Sequence, residues 1–120
     1  MQFLLLYKAD CSLFDRSEVE QVFRSDPHFE ELRFDTPGGD LIECEYVEPD
    51  DRTIINLDND REAIFLSHTW GAALRAVLVI QKTLGIPLRM INDDYTFDLT
   101  FSDIATVEEL EAAMENSRMS

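Results

Sequence analysis

Apolar residues recur at two spacings along the chain, and these spacings predict short strands alternating with helices. Residues 2–8 form a near-continuous apolar run, which is typical of a central strand covered on both faces. Residues 29–48 alternate on either side of a glycine-containing turn at 36–40, which predicts a β-hairpin because glycine accepts positive φ. Residues 63–66 suit a strand, which we prefer, or the first turn of a helix. Further strands are expected at residues 53–58, 88–92 and 95–101.

Two shorter helices carry complete start signals. Asp15 followed three residues later by Glu18 has the spacing of a capping box, and Pro27 marks the end of the helix that follows. Thr106 and Glu109 repeat the same spacing before the last apolar stripe of the chain. We therefore expect one helix near each end of the sequence.

Residues 66–85 are the least polar long stretch and predict a central apolar helix over about 69–84. Ser67 or Thr69 is expected to cap its start. Trp70 is expected to enter the core, because it shares one side of a 3.6-residue helix with several apolar or long side chains. These are Ala73, Leu74, Val77 and Gln81.

The order of these elements places the chain in the α+β class. We expect a single domain over residues 1–120, with a mainly antiparallel sheet built from hairpins and two to three helices packed on it. The tail over about 116–120 is expected to fray. Strand pairing order is not fixed by one sequence.

Charge changes the functional picture more than any motif. The chain has 25 acidic and 10 basic residues, a formal net charge of −15. Such a charge repels phosphate backbones and anionic lipid surfaces, so direct binding to nucleic acid or membrane is not expected. A basic protein would be attracted and steered towards the chain. Acidity that serves only solubility is the alternative interpretation.

The acids are densest in the predicted hairpin and the turn after it. This segment predicts an anionic docking surface for a basic protein partner, although a solvated face that protects a sheet edge would look the same. We therefore expect a non-enzymatic, inhibitor-type binding protein. The expected partner-binding residues are Asp40, Glu43, Glu45, Glu48, Asp50 and Asp51.

Two other functions remain open on this sequence. His68 and Trp70, with Arg75, could line a pocket of a small-ligand domain or a small enzyme, with the imidazole as a general base. Leu78 and Val79 beside the polar stripe of the central helix could bury part of that helix in a homodimer, which would make the chain a structural scaffold.

No motif for a cofactor, metal or nucleophile is present. The sequence has no phosphate loop, dinucleotide fingerprint, zinc spacing or hydrolase elbow, so we expect no cofactor and no metal site. Cys11 and Cys44 are expected to be reduced packing residues of a cytoplasmic protein, since no apolar run approaches the ~20 residues of a membrane span. In size, acidity and class the chain is similar to bacterial immunity and antitoxin-type inhibitors, without shared motifs.

Overall fold

A computed structural model describes residues 2–118. In chain order, its elements are β1 (Leu4–Lys8), α1 (Arg16–Arg24), β2 (Phe29–Phe34), β3 (Asp40–Glu48), β4 (Asp51–Asp58), β5 (Ile64–Leu66), α2 (Ala72–Leu84), β6 (Leu88–Asn92), β7 (Asp98–Phe101) and α3 (Val107–Asn116). The strands form one antiparallel sheet in the order β2-β3-β4-β5-β1-β6-β7. The α+β class is confirmed, and residues 64–66 form a strand as we preferred.

All three helices pack on one face of the sheet. Their buried side chains join a single cluster with the strand residues that point to the same side, such as Leu4 and Leu6 of β1 and Ile55 of β4. The strand residues that alternate with these, and whose side chains point to the other side of the sheet, do not belong to that cluster. The sheet therefore has an inner face, which carries the core, and an outer face that no helix of the described residues covers.

This arrangement corrects the prediction for β1. The strand is central in the sheet, but it is covered on one face only, because Leu5 and Tyr7 point to the outer face and are half-buried. Their apolar character is explained by lateral neighbours, since Leu5 is in register with Phe65 and Ile91 on the adjacent strands.

The hairpin and the caps of the two shorter helices form as predicted. Gly39 takes a φ of 92° in the β2–β3 turn, a conformation that glycine adopts without strain. The Asp15 carboxylate accepts a hydrogen bond from the Glu18 backbone N–H at 3.0 Å. The Thr106 hydroxyl accepts one from the Glu109 N–H at 3.1 Å. These bonds satisfy N–H groups that have no partner within their helices.

The central helix begins later than predicted, at Ala72, and neither expected cap is used. The Ser67 hydroxyl accepts from the Ile54 N–H at 2.9 Å, and the Thr69 hydroxyl donates to the side chain of Gln2 at 3.1 Å. The predicted burial of Trp70 is wrong as well, because its side chain is 54% exposed. Trp70 precedes the first helical residue, so the 3.6-residue phase does not apply to it. The other members of the predicted side, Ala73, Leu74, Val77 and Gln81, are buried.

The last hairpin also differs at its turn. The predicted strand over 95–101 starts only at Asp98, and Tyr95 takes a φ of 57° with 59% of its side chain exposed. The cause is Asn92, whose amide oxygen accepts from the Thr96 N–H at 2.9 Å and holds residues 92–96 in a tight turn.

At the C-terminal end, Arg118 forms an isolated antiparallel bridge with Phe97. The expected fraying of the tail over about 116–120 stays a prediction. Residues 119 and 120 of the predicted frayed tail lie outside the described residues. Among residues 2–118, every helix is too short or too polar to cross a lipid bilayer.

Candidate functional site

The acids of the hairpin separate into groups on different sides of the sheet. Glu43 and Glu45 project from the outer face, because they alternate with the buried residues of β3. Glu48 has the parity of the inner face and lies beside the start of α2, as does Asp51. Asp50 is exposed at the tip of the β3–β4 turn. The structure therefore does not bring the predicted docking residues together on one surface.

Of the predicted docking acids, the two on the outer face, Glu43 and Glu45, are already paired within the chain. Glu43 accepts a hydrogen bond from Arg33 of the neighbouring strand, and Glu45 lies 3.6 Å from the guanidinium of Arg52. At the far end of β3, the Asp40 carboxylate accepts from the amide of Asn56 at 2.8 Å. The charges of Glu43 and Glu45 are therefore compensated before any partner arrives, whereas Asp40 is bonded to a neutral amide.

Asp51 supplies the missing cap of the central helix. Its carboxylate accepts a hydrogen bond from the Ala72 backbone N–H at 2.8 Å, where it also opposes the positive end of the helix dipole. Gly71 has a φ of 56°, and a Cβ at this position would collide with the Asp51 carboxylate. Strand β4 and the start of α2 are thus joined through a contact that requires both residues.

Arg75 is held by Glu48. Its Nε donates to the two carboxylate oxygens at 2.7 and 2.5 Å, and this hydrogen bonding raises the pKa of the guanidinium. The arginine that sequence analysis assigned to a ligand pocket therefore serves to join α2 to the β3–β4 turn.

The two sites proposed from the sequence meet at this end of the sheet. The rings of His68 and Trp70 lie 5.5 Å apart, with 30° between their planes. His68 also borders an open depression of about 360 Å³ whose remaining lining is the acidic turn. This lining is Glu48, Pro49, Asp50, Asp51 and Arg52. We call the group Glu48, Asp50, Asp51, His68 and Trp70 the Trp70 edge.

A second depression lies beside Trp70. It has a volume of about 400 Å³, and Trp70 contributes to its wall together with apolar side chains from Leu74, Phe97 and Met114. Its rim carries the carboxylates of Asp94, Glu111 and Glu115, of which Glu115 is 3.5 Å from Arg118. Sequence reasoning missed these three acids, because they become neighbours of Trp70 only once the β6–β7 turn and α3 are packed against the loop before α2.

The serine hydroxyl beside His68 in the sequence is used within the fold. Ser67, the hydroxyl next to His68 in sequence, is bonded to the β4 backbone and lies 3.3 Å from the Thr53 hydroxyl. Across the described part of the chain, no cluster of three or more metal-ligating side chains occurs. The resulting surface presents an aromatic ring and carboxylates, which are the groups that recognise cationic side chains.

The two cysteines lie away from this surface. Cys44 is fully buried, and burial, followed by the charges of Glu43 and Glu45, raises the pKa of its thiol to about 12. Cys11 is exposed, so the expectation that it packs in the core is wrong. Its φ of 66° places it in the turn after β1.

Another depression lies at the other end of α2. It has a volume of about 470 Å³, and Leu78 and Val79, which sequence analysis assigned to a homodimer contact, contribute to its wall. The buried Gln81 side chain spans its floor, with its amide donating to the Ile104 carbonyl and accepting from the Ile104 N–H, both at 2.9 Å. The polar atoms of Gln81 are therefore already hydrogen-bonded within the fold.

Function has to be argued from this geometry alone. A scan of protein-family models, a search of curated proteins and a search of solved structures each returned no match to the chain.

Proposed function

We propose that the protein is a non-enzymatic, acidic binding protein that docks a basic protein partner through the Trp70 edge. An inhibitor of the immunity or antitoxin type would have this chemistry. The observation that carries the proposal is the position of Trp70: an indole that is 54% exposed, lines one depression rimmed by carboxylates, and lies 5.5 Å from the ring of His68, which borders a second acidic depression.

Long-range electrostatic attraction is the first contribution to the binding of a basic partner. Seven of the ten basic side chains are already in ion pairs, each with a different carboxylate. Most of the 25 acids therefore have no basic partner within the described residues. A field of this sign accelerates the encounter with a positively charged protein.

Trp70 provides the short-range contact. Tryptophan is enriched among the residues that contribute most to protein–protein affinity, and its ring face attracts lysine and arginine. Asp50 is exposed at the tip of the β3–β4 turn and lines the depression that His68 borders, while Glu111 is exposed and shares the other depression with Trp70. A partner cation stacked on the ring would thus lie in the same depression as Glu111, and the acids of the β3–β4 turn follow beyond His68.

The proposed contact surface differs from the set of six acids expected from the sequence. Glu43 and Glu45 are in ion pairs and Asp40 is bonded to Asn56, whereas Glu48 and Asp51 shape the edge through Arg75 and the α2 cap. We assign direct contact to Trp70, Asp50 and Glu111.

The test uses immobilised full-length protein to capture a basic partner from a lysate of the source cells, followed by titration of the purified partner. Trp70 is the only tryptophan, so its fluorescence reports on the proposed contact itself. The variants are Trp70→Ala and the double change Asp50→Lys with Glu111→Lys. The matched control is Asp60→Lys with Glu62→Lys, which makes the same charge change in the β4–β5 turn at the opposite end of the strands.

We expect affinity to fall at least tenfold in both edge variants and to decrease with rising salt. The control should lose only the smaller, salt-sensitive part of the association rate. A basic partner that binds all variants with unchanged affinity, and equally well at high salt, would overturn the proposal.

A further inference from the structure

The depression of about 400 Å³ beside Trp70 is lined by a basic residue of the chain itself. We call this depression, whose apolar wall is Trp70, Leu74, Phe97 and Met114, the Trp70 depression. Arg118, the last residue that the structure describes, also lines it. The chain therefore places its own positive charge beside the space to which the proposed function assigns a cation of the partner.

Backbone and side-chain contacts together hold Arg118 at this position. Its backbone forms an isolated antiparallel bridge with Phe97, and its N–H donates to the Glu115 carbonyl at 3.3 Å. Its guanidinium lies 3.5 Å from the carboxylate of Glu115, one of the three acids on the rim of the Trp70 depression. The backbone thus fixes where Arg118 stands, and its charge is directed to an acid of the proposed site.

The side-chain contact is of the kind that a competing cation can replace. The side chains of Arg118 and Glu115 are 62% and 70% exposed. Water solvates both charges of such a pair and salt screens them, so the pair contributes little to stability. The guanidinium can therefore leave Glu115 without disturbing the fold, while the bridge to Phe97 keeps it close by.

We infer that Arg118 is an intramolecular competitor of the partner's cation at the Trp70 depression, an inference that rests on the proposed function of this site. With Arg118 on Glu115, the acids of the depression without a basic partner among the described residues are Asp94 and Glu111. A lysine or arginine that enters has to displace Arg118 from Glu115 or lie near a like charge. Either event weakens its binding.

The competitor makes the site selective for densely basic partners. A chain of charge −15 attracts every cationic molecule, so attraction alone discriminates poorly. A single cation that takes the place of Arg118 gains little more than Arg118 loses. A segment with several lysines or arginines also reaches Asp94 and Glu111, and the difference between the two affinities is the specificity.

Quenching of Trp70 by caesium ions tests the position of the charge without any partner. Trp70 is the only tryptophan, so its fluorescence reports how readily a cation reaches the depression. At constant, low ionic strength, Arg118→Ala should raise the caesium quenching constant about twofold, because a like charge has been removed from the approach. Quenching by acrylamide, which is neutral, should stay nearly unchanged.

Arg24→Ala is the matched control for the loss of one positive charge. Arg24 is also an exposed arginine in an ion pair on a helix, 2.9 Å from Glu20, and it lines neither of the two depressions near Trp70. Its removal should change caesium quenching much less than Arg118→Ala does, since the two variants have the same net charge.

Binding of a nonaarginine peptide, followed by Trp70 fluorescence, tests the competition itself. Arg118→Ala should bind the peptide about two- to fivefold more tightly than the wild type at the same salt, the gain that one exposed ion pair accounts for. Arg118→Lys should bind like the wild type, because it keeps the charge that competes for Glu115. Arg24→Ala should gain clearly less than Arg118→Ala.

The outcomes separate this inference from the proposed function. If Arg118→Ala matches Arg24→Ala in caesium quenching or in peptide affinity, Arg118 is not a competitor. An equal rise of caesium and acrylamide quenching would also overturn the inference, since Arg118 would then act as a steric cover. Failure of nonaarginine to bind the wild type would count against the proposed function instead, and the caesium comparison would still decide the role of Arg118.

Discussion

The junction between Asp51 and the start of the central helix offers a quantitative test of the fold. Asp51→Ala removes the carboxylate that accepts from the Ala72 N–H and opposes the helix dipole. Loss of a helix cap destabilises a protein by about 1 kcal/mol, and loss of the charge adds up to about 1 kcal/mol. We therefore expect Asp51→Ala to lower the free energy of unfolding by about 1–2 kcal/mol.

Gly71→Ala should act through two mechanisms. The positive φ of 56° becomes strained once a Cβ is present, which costs about 1–3 kcal/mol. The new Cβ would also displace the Asp51 carboxylate from its bonding position, which adds the loss of the cap. In an Asp51→Ala background only the strain remains. The two changes should therefore be non-additive, with the double variant about 1 kcal/mol more stable than the sum of the single effects predicts.

Urea unfolding of the four proteins, followed by far-ultraviolet circular dichroism, measures this coupling. The control cycle pairs Asp51→Ala with a change at Gly39, whose positive φ of 92° occurs in the distant β2–β3 turn with no neighbouring atom near its Cβ position. That pair should be additive within about 0.5 kcal/mol. Additivity of Asp51→Ala with Gly71→Ala would refute the assignment of Asp51 as the cap of α2.

Three further outcomes follow from the structure. Gln81→Ala should lower the free energy of unfolding by about 2–3 kcal/mol in urea, because the Ile104 N–H and carbonyl would lose their partner; an unchanged stability would contradict these two hydrogen bonds. Cys11 should react with a thiol reagent in the folded protein, whereas Cys44, with a thiol pKa of about 12, should react only after unfolding; equal rates would contradict its burial. Hydrogen bonding from a guanidinium lowers the pKa of Asp98, so its small stabilising effect should be present at neutral pH and disappear as the pH falls through that lowered pKa; a carboxyl titration by nuclear magnetic resonance at or above the ordinary range would exclude the ion pair.

Local signals in the sequence were sufficient for the elements whose determinants lie within a few residues. The caps at Asp15 and Thr106 use backbone N–H groups three positions away. The β2–β3 turn depends on glycine within the turn itself. In these cases the interacting groups are fixed by sequence spacing, so the pattern and the structure agree.

The start of α2 could not be predicted because its cap is 21 residues away in the chain. The apolar pattern continues backwards through Trp70, but the backbone leaves the helix at Gly71, where the Asp51 carboxylate occupies the capping position. The exposure of Trp70 follows from that long-range contact. Because Trp70 is exposed, the candidate site centres on this residue rather than on the hairpin acids.

Part of the candidate site could be predicted from the alternation of side chains along β3. Glu43 and Glu45 lie at odd positions of a strand whose even positions carry apolar residues, whereas Glu48 shares the parity of the apolar set. The hairpin acids therefore had to divide between two faces. The compensating arginines were not readable in this way, because Arg33 and Arg52 reach Glu43 and Glu45 through strand register.

The position of β1 in the sheet has a consequence for how the chain folds. Its two neighbours are β5 and β6, so Leu4 is in register with Leu66 on one side and Asn92 on the other. During synthesis β1 emerges before β5 and β6, and the elements α1, β2, β3 and β4 separate it from the nearer of these partners. The β2–β3–β4 meander, by contrast, consists of sequential hairpins that close small loops. We expect the meander to form first and β1 to dock late, so that this apolar strand waits longest for its hydrogen-bond partners.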